Sequence, residues 1–128
     1  MEVTPGVAAE RVLEVAPEDT AAAVGSGSMP VLGTPRLLAW CEAVTCDAVE
    51  DLLAVGETTV GTRVHLEHLA PSAVGDWVTV RAEVTSVDGR RLGFVVEGVD
   101  SDGRSLARGT VERVVVDVSP FLDRVASS

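Results

Sequence analysis

The spacing of apolar residues changes from that of a helix to that of a strand near residue 56. From Pro35 to about Ala54 there is no glycine or proline, and the apolar positions recur at helical spacing. Thr34 is a favourable N-cap, Pro35 a favourable first helical residue, and Gly56 lies just beyond the predicted end. Apolar side chains cover more than half of the helix circumference, so we expect other elements to surround this helix.

From Glu57 onward, apolar and polar residues alternate with the period of a β-strand. On the first long strand, we expect one face to carry Val60, Thr62, Val64, Leu66 and His68. Three more strands are predicted over 77–84, 92–99 and 105–118, with a hairpin turn at 87–90. The predicted inward residues of the last strand are Val111, Val114, Val116 and Val118.

Together these elements predict an α+β fold within a single domain spanning residues 1–128. A short strand at 11–15 and a short helix after Pro17 precede the long helix, and an antiparallel meander of four long strands follows it. A sheet of about five strands wrapped around one helix satisfies both apolar patterns. The first and last strands would be exposed edges, which a homodimer could join into one continuous sheet.

Composition narrows the class of function. Ten arginines and no lysine stand against twenty acidic residues, and the net charge of −10 argues against binding nucleic acid. No apolar run is long enough to span a membrane and the first residues carry no basic cluster, so we expect a cytoplasmic protein. Cys41 and Cys46 do not form a recognisable metal or disulfide motif. Lys, Ile, Asn and Tyr, whose codons are AT-rich, are absent, which indicates a GC-rich bacterial gene.

Three polar residues interrupt the apolar pattern or precede it. Glu42 shares a helical row with leucine and valine residues, and lies either at a cavity or turned toward solvent beside Arg36. His68 continues the apolar face of its strand, where it is either a structural residue or a general base. The hydroxyl of Thr34 is explained by helix capping. His65 and His68 should point to opposite faces, so no metal site is expected.

Several motifs resemble those of the acyl-CoA thioesterases with the hotdog fold. They are Gly75-Asp76-Trp77-Val78, Val87-Asp88-Gly89-Arg90 and Gly109-Thr110-Val111-Glu112-Arg113, within a resemblance that covers residues 8–122. A narrower similarity is to the fluoroacetyl-CoA thioesterase group. Its members place a threonine before the central helix, a glutamate eight residues on and a histidine twenty-six beyond, after a Gly-Thr pair. Thr34, Glu42, His68 and the pair Gly61-Thr62 match this spacing without a gap.

The resemblance implies hydrolysis of a small acyl-CoA by a homodimer without a bound cofactor. It implies His68 as general base, Glu42 as the nucleophile or the group that positions water, and Thr34 as a polarising hydroxyl. A backbone N–H near Gly61 is expected at the oxyanion, and Arg113 at the coenzyme A phosphates. Residues 25–33 contain no aromatic residue, unlike the phenylalanine-rich lid of the fluoroacetyl-specific enzyme, so the resemblance leaves open which acyl group is the substrate.

Two other functions are compatible with the fold. An enoyl-thioester hydratase would resemble its family in carrying a histidine at the start of the central helix, and residues 34–54 contain none. A non-catalytic dimer that binds an acyl-CoA or another hydrophobic ligand fits the same sequence. Release of free thiol from acyl-CoAs separates hydrolysis from binding.

Overall fold

One antiparallel sheet and one long helix make up most of the molecule. The computed structural model describes residues 1–127. The strands are β1 (Ala8–Glu14), β2 (Glu57–His68), β3 (Trp77–Asp88), β4 (Arg91–Asp100) and β5 (Ser105–Asp117); the helices are α1 (Ala21–Val24), α2 (Thr34–Val49) and α3 (Val118–Ser127). Short 3₁₀ turns occupy Pro17–Asp19 and Glu50–Leu52. The α+β prediction, with five strands and one long helix, is confirmed.

The order of the strands differs from a simple four-strand meander. The sheet runs β1-β3-β4-β5-β2, so β2 pairs with β5 and is an edge strand, whereas β5 lies inside the sheet. The predicted edge at the last strand is therefore wrong. A meander would pair β2 with β3, but β1 occupies that edge of β3. The connection from β2 to β3 is eight residues long, 69–76. A tight hairpin needs only two to five residues, so this longer connection allows β2 to lie at the opposite edge.

Helix α2 lies against the inner face of the sheet, mainly on β1 and β3. Its fully buried residues include Leu37, Cys41 and Val44, which contact a sheet face carrying Val80 and Phe94. The helix ends at Val49 and continues as a 3₁₀ turn to Leu52, so the predicted end near Ala54 is slightly late. Burial on the inner face confirms that the sheet surrounds the apolar side of the helix.

A β-bulge changes which residues of β2 face the helix. The register against β5 shifts between Gly61 and Arg63, which inserts one extra residue. Gly61 pairs with Arg113 before the bulge, and Val64 pairs with the buried Val111 after it. The prediction that Val60 and Thr62 share a face with Val64, Leu66 and His68 is therefore wrong, because side chains alternate and the bulge resets that alternation.

Strand β5 points a charged residue inward. Its buried residues include Val111, Arg113 and Val115, whereas Val114 and Val116 are only half-buried. Of the predicted inward residues Val111 is confirmed, and Val114, Val116 and Val118 are wrong. Side chains alternate along a strand, so the inward Arg113 places the odd-numbered residues 111, 113 and 115 on the inner face. Val118 begins α3, a C-terminal helix that the alternation did not predict.

Candidate active site

The first residue of α2 places its hydroxyl on the histidine at the end of β2. Helix α2 starts at Thr34 itself, its N-cap is Gly33, and no side chain caps it. Capping as the role of Thr34 is therefore wrong, and the hydroxyl is available for another partner. Thr34 Oγ1 and His68 Nδ1 are 2.8 Å apart, a hydrogen bond whose donor depends on the tautomer of the ring.

His68 is partly buried, and its second ring nitrogen, Nε2, has no hydrogen-bond partner within residues 1–127. Burial lowers the pKa of His68 from its ordinary value, opposed in part by a hydrogen bond with the backbone of Ala70. Nε2 is buried and has no hydrogen-bond partner among residues 1–127. It lies beside a pocket of about 240 Å³ lined by Val31, His68, Leu69, Ala70 and Pro71. A buried polar atom without a partner is uncommon, and here a ligand or water in the pocket would satisfy it.

Glu42 faces β2 from the middle of α2. Its Oε2 accepts a hydrogen bond from Arg113 Nη1 at 3.1 Å, and its side chain is 36% exposed. A Cβ added to Gly61 would lie 2.5 Å from Oε2, so the carboxylate occupies space that only glycine leaves open. Arg36 instead pairs with Asp19, and Glu42 therefore does not turn toward it. The carboxylate is therefore partly accessible, and one of its two oxygens is held by Arg113.

Arg113 is buried beneath this carboxylate and binds the protein with all three nitrogens. Its Nη1 donates to Glu42, its Nε to Thr59 Oγ1 at 2.9 Å and its Nη2 to the Thr59 carbonyl at 3.1 Å. The residue is only 7% exposed. The expected position at the coenzyme A phosphates assumed an exposed side chain. The structure places the guanidinium inside, where it pairs with the partly exposed Glu42 carboxylate and orients it.

Three exposed arginines elsewhere in the chain have acidic partners. Arg90 pairs with Glu57 and Asp117, Arg104 with Asp100, and Arg108 with Glu67. All three arginines are substantially exposed, so each of these ion pairs contributes little to stability. Arg104 immediately precedes β5, and Ala107 at the start of β5 pairs with His68. Arg104 is thus at the same end of the sheet as His68.

The candidate residues form two groups within one chain. Thr34 bonds His68 at one end of the sheet, and Glu42 lies with Arg113 and Gly61 farther along β2. No hydrogen bond or ion pair within residues 1–127 joins the two groups. Gly61 and His68 are separated by about 20 Å of strand, at roughly 3.3 Å per residue. One chain therefore does not bring Glu42 and His68 onto a common reacting atom.

A second pocket lies elsewhere, on the outer face of the sheet. It has a volume of about 520 Å³ and is lined by residues such as His65, Arg81, Glu97 and Arg108. It contains none of the five candidate residues. Its charged side chains of both signs form cross-strand pairs such as Arg108 with Glu67, which is typical of a solvated sheet face.

Residues 1–127 contain neither a candidate metal-binding cluster nor a candidate membrane-spanning helix. No cluster of three or more histidine, cysteine, aspartate or glutamate side chains has the arrangement needed to hold a metal ion. No helix in that range combines the length and apolarity required to cross a bilayer.

Thr59 is the one site residue that the sequence did not single out. It lies two residues before Gly61 on β2 and holds two of the three Arg113 nitrogens. A buried threonine in a strand is common because the residue favours β structure, so its type alone carries no signal. Thr59 belongs to the site only because Arg113 faces inward, and the sequence pattern did not predict that orientation.

Comparison with known proteins adds to this geometry. A family profile described as FlK, fluoroacetyl-CoA-specific thioesterase, matches residues 15–119. A fluoroacetyl-CoA thioesterase from Streptantibioticus cattleyicolor is 36% identical over 98 residues, which cover 74% of this chain and 68% of that protein.

Solved structures extend the similarity to the whole fold. A threonine-to-serine mutant of FlK in complex with acetyl-CoA superimposes with a TM-score of 0.91 at 27% identity, covering 98% of both chains. A hot-dog-like protein from Thermanaerovibrio acidaminovorans gives a TM-score of 0.88 at 28% identity, over 96% of this chain and 90% of that one.

Proposed function

This chain belongs to the family of fluoroacetyl-CoA-specific thioesterases, and we propose that it hydrolyses a small acyl-CoA with Thr34, Glu42 and His68 as catalytic residues. The fold is the hotdog fold, and the activity of the family is acyl-CoA thioester hydrolysis. The observation that carries the assignment is the contact between Thr34 and His68. The Thr34 hydroxyl does not cap α2, and it instead hydrogen-bonds His68, the histidine on the inner face.

The tautomer of His68 follows from this contact. With its proton on Nδ1, the ring donates to Thr34 Oγ1 and leaves a lone pair on the buried Nε2. Nε2 is then the atom that takes a proton from the attacking water. Because burial lowers the pKa of His68, the ring stays neutral and basic near pH 7.

Glu42 supplies the second group. Its Oε2 is held by Arg113, and its half-exposed side chain leaves the other oxygen to face the substrate. In this proposal that oxygen attacks the thioester carbonyl or positions the attacking water. If the carboxylate attacks, the C–S bond breaks, coenzyme A leaves as its thiolate, and the acyl–Glu42 anhydride that forms is hydrolysed by water deprotonated by His68 Nε2. If the carboxylate positions water instead, His68 Nε2 deprotonates that water as it attacks, and the C–S bond breaks in the same way. On both routes the proton taken by His68 passes to the coenzyme A thiolate. The backbone N–H near Gly61 is proposed as a donor to the oxyanion.

Two copies of the chain are needed to complete this site. Strand β2 is a twelve-residue edge strand, and its inward-facing Val64 is still 42% exposed. Antiparallel pairing of β2 with the same strand of a second copy reverses its direction. The His68 end of one copy then approaches the Gly61 region of the other. We therefore propose a homodimer in which each site combines Thr34 and His68 of one protomer with Glu42 of its partner.

The reaction itself is tested by thiol release from short, branched, aromatic and halogenated acyl-CoAs. Catalytic release of coenzyme A from at least one of them is expected. Saturable binding of an acyl-CoA without release of thiol would instead support the non-catalytic binder.

The composite site predicts recovery of activity in mixed dimers. Glu42→Gln and His68→Ala chains carrying different tags are co-expressed, and the heterodimer is purified through both tags. It holds one site with both groups intact, so about half of the wild-type activity is expected although each homodimer is nearly inactive. If Glu42 and His68 act within one chain, the heterodimer stays as inactive as its parents.

The lowered pKa of His68 predicts an acid limb in the pH profile. The base is the neutral ring, so kcat/KM should be constant near neutrality and fall as acidification protonates it. Burial favours the neutral form, and the midpoint should therefore lie below the ordinary histidine pKa of about 6.5. Initial rates from pH 4.5 to 8.5 with a saturable acyl-CoA give this value. A midpoint above 6.5, or the absence of an acid limb, would contradict a partly buried His68 base.

A further inference from the structure

We propose that Thr59 is a positioning residue that sets the direction of the Glu42 carboxylate through Arg113. The inference deepens the proposed function and rests on it, because it concerns how the catalytic glutamate is held. Thr59 is buried, and its hydroxyl and carbonyl both accept hydrogen bonds from Arg113. Its effect on the reaction passes through the guanidinium.

One residue provides two of the three anchors of Arg113. The Thr59 hydroxyl accepts from Nε at 2.9 Å and its carbonyl accepts from Nη2 at 3.1 Å. Both residues are buried, with 8% of Thr59 and 7% of Arg113 exposed. A buried guanidinium must be hydrogen-bonded to be stable, and water does not replace an acceptor lost at this depth.

The two anchors determine where the third nitrogen points. A guanidinium is planar and rigid, so bonds from both Nε and Nη2 to one residue fix its plane and its rotation within that plane. Nη1 is then directed at Glu42 Oε2, 3.1 Å away. Without the Thr59 hydroxyl, only the Thr59 carbonyl would hold the guanidinium to β2. The guanidinium could then pivot around Nη2 and shift the Glu42 carboxylate that is bonded to Nη1.

The backbone register keeps this arrangement in place. Gly61 pairs with Arg113 and Thr59 pairs with Val115, so Thr59 and Arg113 are diagonal neighbours on the inner face of β2 and β5. The bulge begins only after Gly61, and it leaves this part of the ladder regular. Gly61 meanwhile leaves the space that the carboxylate fills. Thr59, Arg113 and Glu42 thus form one continuous chain of contacts from the strand to the catalytic oxygen.

The test compares two substitutions that differ in the hydroxyl. Thr59→Val keeps the shape of the side chain and removes the acceptor, whereas Thr59→Ser keeps the acceptor. Misplacement of a reacting group by about 1 Å costs as much as 10²-fold in rate, so we expect Thr59→Val to lower kcat by about 10- to 100-fold. KM should change by less than about threefold, since no substrate contact is lost. Thr59→Ser should retain kcat within about threefold of wild type.

A second background shows whether the effect passes through the glutamate. In Glu42→Gln protein, adding Thr59→Val should lower kcat no further, because the group being positioned is already disabled. Full additivity of the two losses would overturn the proposal. The matched control is Thr58→Val, the neighbouring exposed threonine on the same strand, which should behave as wild type.

The possible outcomes separate this inference from the proposed function. If wild-type protein releases no thiol from any acyl-CoA, the proposed function fails. If wild type is active and Thr59→Val matches it, only the positioning role fails. Thermal unfolding accompanies each assay, and Thr59→Ala replaces Thr59→Val if the valine variant is unfolded. Loss of the fold in both variants would also overturn the proposal, since the hydroxyl would then serve the structure alone.

Discussion

Replacing Glu42 with glutamine should lower kcat for acyl-CoA hydrolysis by about 10³-fold while the protein remains folded. The amide matches the carboxylate in size and still offers an oxygen to Arg113 Nη1, so the buried guanidinium keeps its third acceptor. It cannot attack a thioester or activate water, and loss of a nucleophile or its activating group removes the chemical step. The measurement is kcat from continuous thiol release, with thermal unfolding of the same sample.

The matched control for Glu42 is Glu50→Gln, an exposed glutamate directly after α2. It should leave kcat within about twofold of wild type, since surface substitutions away from a site have small effects. A Glu42→Gln variant that is folded and retains more than about a tenth of wild-type kcat would remove Glu42 from the mechanism. Because glutamine weakens a partly exposed ion pair, a loss of about 1–2 kcal/mol in unfolding free energy is compatible with the proposal.

Replacing His68 with alanine should lower kcat by about 10²- to 10⁴-fold, the range typical for removal of a general base. The hydroxyl of Thr34 also loses its partner at Nδ1, so both polarising groups at this end of the sheet are disabled together. The acid limb of the pH profile should disappear, since the titrating group is gone. Steady-state rates between pH 4.5 and 8.5 measure both effects on one preparation.

His65→Ala provides the control for His68. His65 is the second histidine, lies on the same strand and is exposed on the outer face, where it pairs with Glu67. Its replacement should leave rate and pH profile unchanged. If His65→Ala lowers the rate as much as His68→Ala, or if His68→Ala remains within a few-fold of wild type, the assignment of the base is wrong.

The elements of the fold could be predicted because their signals are local. Pro35 at the start of α2 and the two-residue turn between Asp88 and Arg91 appear in the structure close to where the pattern placed them. Helix periodicity, strand alternation and turn chemistry all depend on a few neighbouring residues. The resemblance to thioesterases was equally accessible, since its motifs are short and lie in order along the chain.

Arg113 shows where the pattern was insufficient. An arginine on a strand is ordinarily exposed, so alternation alone does not predict that Arg113 faces inward. Its inward position is stable only because two residues on other elements, Glu42 and Thr59, supply acceptors; they lie 71 and 54 residues earlier in the chain. The same holds for the bulge after Gly61, which exists only against β5.

Thr34, beside His68, shows the same difference between what the sequence predicts and what the fold decides. Its residue type and position before a helix predict a cap, and the spacing to Glu42 and His68 marks all three as candidates. The hydroxyl would cap the helix if α2 began at Pro35, but α2 begins at Thr34 and the hydroxyl bonds His68 instead. Tertiary contacts decide this difference of one residue.

The amino-acid order thus sufficed for the α+β class, the long buried helix, the antiparallel strands and the identity of the three catalytic candidates, because each rests on local periodicity or short motifs. The position of β2 at the edge, the inward Arg113 with its Thr59 anchor, and the separation of Glu42 from His68 required the folded chain. These features arise from pairings between residues far apart in sequence, and their energies depend on burial that no local pattern records.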